Sequence, residues 1–193
     1  MNYYIADLHL GHKAILRLDH RPFCDLQQME ESVTLLWNAT VKKDDTVYIL
    51  GDFCWYDVQG WVKVLKKLNG KKILIKGNHD PRQYPPELRK EFLSIVDYLK
   101  IKDKNRTVIL SHYPIIFYER SNSPDSYMLC GHIHNTSENK KLEEFISSLK
   151  SDSTSENDVN SYNNLGQIYN VGAMMPWMEY TPRTLDEIIR RKK

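Results

Sequence analysis

In Lys76-Gly77-Asn78-His79-Asp80, three consecutive side chains can bind a cation or move a proton. Asn78 offers a neutral oxygen, His79 a nitrogen ligand or proton donor, and Asp80 a carboxylate able to orient either. Gly77 lets the backbone turn sharply and approach a ligand closely. Taken alone, the stretch is equally a polar turn. Four further clusters share its setting at the end of an apolar run: Asp7-x-His9, Gly51-Asp52, Ser111-His112 and Gly131-His132-Ile133-His134. Residues two apart on an extended segment project to one side, which predicts Asp7 with His9 and His132 with His134 as ligand pairs.

The donor set mixes carboxylate, imidazole and amide without thiolate. That chemistry favours a divalent ion such as Mn, Fe, Ni, Co or Zn and disfavours a structural cysteine-type zinc site. Asp7, His9, Asp52, Asn78, His112, His132 and His134 are too many for one ion. Two ions about 3.5–4 Å apart, sharing a carboxylate, would use them all and form a clamp for phosphoryl transfer. Asp52, a lone carboxylate after an apolar strand, is the natural bridge. Ser111 beside His112 is no nucleophile–base pair, because neighbours on a strand point to opposite faces.

The elements that must position these residues alternate. Tyr3–Ala6, Thr46–Leu50 and Lys72–Lys76 read as strands, separated by helices over Asp25–Ala39 (Leu26, Met29, Val33, Leu36 and Trp37 inward) and Asp57–Leu68 (Trp61, Val64, Leu65 and Leu68 inward). Asn69-Gly70 closes the second helix as a glycine C-cap. Strand–helix alternation implies an α/β parallel sheet with ligands gathered beyond the strands' carboxyl ends. A short helix through Phe92 follows the prolines at 81, 85 and 86. Ile95–Lys102 and Arg106–Leu110 are expected as an antiparallel pair of strands, and Tyr127–Cys130 and Gln167–Val171 as later strands. Helices are expected over Glu138–Lys150, with Leu142, Phe145, Ile146 and Leu149 inward, and over Thr184–Arg190. Ser151–Asn164, rich in Ser, Asn and Asp, is expected as a flexible surface loop within a single domain of residues 1–193.

Composition narrows the classes. A net charge of +2 gives no push toward nucleic acid or an anionic membrane, and no run is long enough to span a bilayer. Three cysteines without CxxC spacing (Cys24, Cys54, Cys130) suit small buried hydrophobes in a reducing compartment. With no leader-like start, a cytoplasmic location is expected.

The ordered series D-x-H, G-D, G-N-H-D, H and G-H-x-H, running from Asp7 to His134, closely resembles the calcineurin-like metallophosphoesterases. The resemblance implies a four-layer α-β-β-α sandwich of two mixed sheets flanked by helices. It implies Asp7, His9 and His134 on one metal, Asn78, His112 and His132 on a second, and Asp52 bridging. His79 would assist the leaving group as proton donor, with Asp80 orienting it. A metal-activated water would hydrolyse the ester without a covalent intermediate.

Departures narrow the branch. The second block runs Gly51-Asp52-Phe53-Cys54-Trp55 and lacks the arginine of the protein phosphatases, and the chain has no length for the capping domain of the double-strand-break nucleases. The expectation is therefore a small bacterial or phage type phosphodiesterase, using two divalent ions, with Mn first, on a small or nucleotide-like substrate. A phosphomonoesterase and a non-catalytic scaffold of the same fold are the alternatives. His12 and Trp55 are candidate substrate contacts; Trp55 and Tyr56 are equally readable as core aromatics, and His20 and Arg21 as loop polarity. The basic tail Arg190–Lys193 reads as a solvated helix end.

Overall fold

β1 (Asn2–Ile5), β2 (Thr46–Ile49), β3 (Lys71–Ile75) and β4 (Ser94–Val96) pair in parallel, in that order, in the computed structural model, which describes residues 1–151 and 166–191. β5 (Tyr98–Asp103), β6 (Arg106–Ser111), β7 (Ser126–Cys130) and β8 (Ile168–Asn170) form a second sheet. There β5 runs antiparallel to β6 while β6, β7 and β8 are parallel. Only this second sheet is mixed; the four strands of the first are parallel throughout.

Side-chain alternation along the strands builds the layers. Val108 and Leu110 of β6 and Leu129 of β7 join the large core that also holds Tyr4, Tyr48 and Ile75 of the first sheet. Their neighbours Ile109, Met128 and Cys130 point the other way, into a smaller core closed by Ile146 of α5 (Ser137–Ser151). One face of the second sheet therefore meets the first sheet and the other meets a helix, as period-two side chains require. Tyr4 crosses between the sheets, stacking on Tyr48 and donating its hydroxyl to Asp103 Oδ2 at 2.7 Å.

On the far side of the first sheet lie α2 (Leu26–Thr40) and α3 (Val58–Lys67). Asp25 starts α2 by accepting the Gln28 amide, and Asp57 starts α3 by accepting that of Gly60. Met29, Val33 and Trp37 at four-residue spacing seat α2, and the Trp37 indole donates to the Asn69 carbonyl. Leu36, expected inward, is exposed. The carbonyls of Leu65 and Leu68 at the end of α3 are met by the buried Lys72 ammonium of β3. Short turns α1 (Ile15–Leu18) and α4 (Pro86–Arg89) and the capped α6 (Leu185–Arg191), with Thr184 and Glu187 bonding reciprocally, complete the described helices.

The long strand expected over Ile95–Lys102 is two strands, broken at Asp97 where the chain passes from the first sheet to the second. Phe145 is exposed, not inward, leaving Ile146 to seat α5. Cys24 is exposed, whereas Cys54 and Cys130 are buried as expected. Apart from Ser151, which ends α5, the expected loop over 151–164 lies outside the described residues, as do the last two residues of the basic tail. Among the described residues no helix is long and apolar enough to cross a membrane.

Candidate metal centre

Every expected ligand follows a strand's carboxyl end: Asp7 and His9 after β1, Asp52 after β2, Asn78 after β3, His112 after β6, His132 and His134 after β7. Backbone hydrogen bonds lace these loops together. Asp7 N donates to Gly51 O, His9 N to Asp52 O, and Gly131 N to His112 O. Ala6 joins the two sheets, donating to Val171 O and accepting from Ala173 N. The rim is thus held by main chain before any side chain is considered.

The ligand pairs are not extended. Asp7, His9, Asp52, His132 and His134 all have positive φ, between 45° and 70°. Such left-handed backbone is unusual for residues other than glycine and clusters at functional sites. The pairs are thus brought together by left-handed loop backbone and not by the one-sided projection of an extended segment.

The Asp7 carboxylate is fully buried and both of its oxygens accept the His132 amide, at 3.1 and 3.0 Å. Ligand atoms of Asp7, His9 and His134 all lie within 4.8 Å of one another, as do those of Asp7, Asp52 and His112. Asp52 Oδ1 accepts the His79 amide at 2.9 Å, while Oδ2 stands 3.7 Å from His9 Nε2 and 3.6 Å from His112 Nε2. Asp52 therefore faces both sides. Asn78 Oδ1 is 2.9 Å from His112 Nε2. The His132 ring stands 5.1 Å from that of His112 and outside both tight groups.

The protonation pattern tests whether these residues suit a cation. His112 Nδ1 donates to the Leu50 carbonyl at 2.8 Å, so the neutral ring presents an Nε2 lone pair to the Asn78 oxygen. His134 Nδ1 donates to Asp19 Oδ1 at 2.7 Å, directing Nε2 toward His9 Nε2 at 3.3 Å. His9 Nδ1 is buried without a hydrogen-bond partner. Burial, aided by the His134 charge, holds the His9 imidazole well below its usual pKa, and burial also lowers that of His112. Burial, reinforced by the Asp52 charge but opposed by His134, pushes Asp7 up to about 7. Acceptors crowd against acceptors around buried carboxylates, which is the arrangement a divalent cation stabilises. The donor set fits.

Asp80 departs from its expected role. Asp80 does not touch the His79 ring; its buried carboxylate accepts the amides of Gly77, Asp52 and Phe53 at 2.8, 3.1 and 3.0 Å. It fastens the Asp52 loop to the Asn78 loop. Trp55 and Tyr56 are exposed, not core. The Trp55 indole stacks on His12 with centroids 4.1 Å apart and 12° between planes, and lies 4.6 Å from His79. His12 thus sits beside the centre, and the exposed His79 ring stands at its rim.

Arg21 is not loop polarity. It is buried, donates to the carbonyls of Asp7 and Leu8, and pairs with Asp19 at 2.9 Å. Asp19 in turn holds His134: burial favours its neutral form, but the His134 hydrogen bond and Arg21 keep it below the usual carboxylate range. For His134, burial lowers the pKa, yet Asp19 and Asp7 raise it on balance. Asn170, also unremarked in the sequence, donates to the His134 carbonyl at 2.9 Å. The available signal was an Asp-x-Arg spacing ahead of Pro22, too common to single out.

Two face-to-face sheets with an acceptor cluster at their shared rim define an α/β sandwich with a candidate cation site. The profile of the calcineurin-like phosphoesterases matches residues 3–168, and the chain belongs to that family. It is 35% identical over 80 residues to the uncharacterized protein MJ1445 of Methanocaldococcus jannaschii, covering 40% of this chain and 46% of that one. It is 32% identical over 136 residues to the gene 66 protein of Mycobacterium phage D29, covering 59% and 64%. The matches span less than two thirds of either relative. A crystal structure of AQ665 from Aquifex aeolicus, a protein of unknown function, superposes over 99% of this chain and 98% of its own, with a TM-score of 0.62 at 24% identity. That likeness concerns the fold.

Proposed function

We propose that the protein is a dinuclear metal-dependent phosphodiesterase acting on a small or nucleotide-like diester, with manganese as the preferred ion. The observation that supports this reading is Asp52 Oδ2, 3.7 Å from His9 Nε2 and 3.6 Å from His112 Nε2, beside a buried Asp7 that is common to both three-residue ligand groups. Asp7, His9 and His134 would hold one ion, and Asn78, His112 and His132 the other, with Asp52 shared. Two such ions supply Lewis acidity toward the phosphate oxygens and a water nucleophile at neutral pH.

The remaining chemistry falls to the chain's own residues. Hydrolysis forms one bond from water oxygen to phosphorus and breaks one ester P–O bond, and the departing oxygen takes up a proton. His79, exposed at the rim and anchored by its amide to Asp52 Oδ1, is the group we assign to deliver that proton. Trp55 packs against both His79 and His12, restraining the two imidazoles beside the centre. Asp19 and the Leu50 carbonyl fix which nitrogen of His134 and His112 faces the ions.

Parallel assays with bis-p-nitrophenyl phosphate and p-nitrophenyl phosphate in manganese test the reading. Faster turnover of the diester, with Asp52→Asn losing both metal and nearly all activity, is expected. Preference for the monoester makes the protein a phosphomonoesterase, and activity on neither with no bound metal leaves a scaffold.

A further inference from the structure

Two large exposed aromatics pack on different imidazoles around the candidate ligand set. Trp55, 43% exposed, packs on His12, His79 and His9, on the side of the Asp7–His9–His134 group. Tyr113, 48% exposed, packs its ring on His132 at 4.6 Å and on His112 at 5.1 Å, on the side of the second group. Neither ring is core, and neither belongs to the candidate ligand set. Each nonetheless touches imidazoles that surround the reacting position and leaves much of its own surface to solvent.

Exposed rings held rigidly beside a phosphate-binding centre are surfaces on which a flat group can stack, with little conformational freedom lost. A phosphodiester has two organic groups, which leave phosphorus in different directions. We propose that Trp55 and Tyr113 are the specificity-determining residues of this site, one stacking the planar ring of each ester group. The substrate class is accordingly a diester carrying an aromatic or heteroaromatic ring on both sides of phosphorus, of which a dinucleotide is the simplest biological form. The inference rests on the phosphodiesterase reading and narrows it.

The test keeps the leaving group constant. Thymidine 5′-(p-nitrophenyl phosphate) and methyl p-nitrophenyl phosphate both release p-nitrophenolate, but only the first carries a second ring. The wild-type protein with manganese should favour the two-ring ester by about tenfold in kcat/KM, the gain expected for one stacked ring. Trp55→Ala and Tyr113→Ala should each lower kcat/KM on that ester about tenfold, chiefly through KM. Trp55→Phe and Tyr113→Phe should restore most of the loss. Bound metal should stay at the wild-type level.

Equal kcat/KM on the two esters, or alanine variants that keep wild-type KM, overturns the stacking assignment while leaving the phosphodiesterase standing. If the wild-type protein cleaves no diester, the broader reading fails, and titration with a dithymidine methylphosphonate decides the stacking by itself. That compound bears both rings and resists hydrolysis. Chemical-shift changes lost in both alanine variants support the assignment, and no binding to wild type overturns it.

Discussion

The proton on an imidazole decides what the other nitrogen can do, and here two partners set it. Asp19 takes His134 Nδ1–H and the Leu50 carbonyl takes His112 Nδ1–H, so both rings turn Nε2 toward the carboxylates. A backbone carbonyl cannot be mutated away, but Asp19 can. Asp19→Ala removes a carboxylate from both His134 and Arg21 and should weaken metal affinity about 10- to 100-fold, the usual cost of losing a carboxylate behind a ligating histidine. Isothermal titration with manganese reads it, and unchanged affinity would show that Asp19 serves only Arg21. His79 makes the contrasting case. It lies outside both tight ligand groups and is solvent exposed. His79→Ala should keep both metals yet slow esters of poor leaving groups far more than activated nitrophenyl esters, because only the former need the proton. Equal loss across a leaving-group series would remove it from that role.

At the scale of elements, strand ends did most of the work, and this was legible because a buried parallel strand is a run of apolar residues with an abrupt polar end. β1, β2, β3, β6 and β7 could be read with their ligand blocks for that reason. What the sequence hid were features that only tertiary contact creates. Asp80 follows His79 and invited the role of its partner, yet the turn directs the carboxylate to three amides of two loops. Positive φ at five candidate ligand positions left no trace, since none of the five is glycine. Leu36 and Phe145 satisfied helical spacing but fall outside the buried stripe.

The motif glycines are clearer. A Cβ on Gly131 would lie 2.5 Å from Asp7 Oδ2 and 2.6 Å from Ala6 Cβ, so the loop after β7 can approach β1 only without a side chain. Gly131→Ala should therefore cost about 1–3 kcal/mol of stability, as overpacked sites do. It should also lower metal affinity by displacing Asp7. Urea denaturation in chelator and a manganese titration measure the two effects separately; a stability loss with wild-type affinity would mean that Asp7 re-forms its position.

For the whole molecule, the rim is a place where two sheets bury charge, and stability must carry that cost whenever no cation is bound. Burial pushes Asp80 up to about 6 and Asp7 up to about 7, against the ordinary 3.8; for Asp80, the amides of Gly77, Phe53 and Asp52 offset part of the rise. A carboxyl group with a raised folded pKa binds its proton more tightly folded than unfolded. Its contribution is full below about pH 4 and is lost as pH rises through the folded value. His9 and His112, with lowered values, act in the opposite sense as they deprotonate, so the total curve mixes both.

The difference between wild type and Asp80→Asn isolates one group. In chelator, wild type should lose about 3 kcal/mol relative to the variant between pH 4 and pH 7, the equivalent of about two pKa units. Denaturant midpoints across that range, converted with a common slope, give the number. Adding manganese at about 100 times its dissociation constant should return ~2.7 kcal/mol to wild type at pH 7, because the ions bind only the folded rim. A flat difference between the two proteins across the range would mean that the three amide bonds compensate the burial of Asp80 in full, and that the rim stores no electrostatic cost at that residue for a cation to relieve.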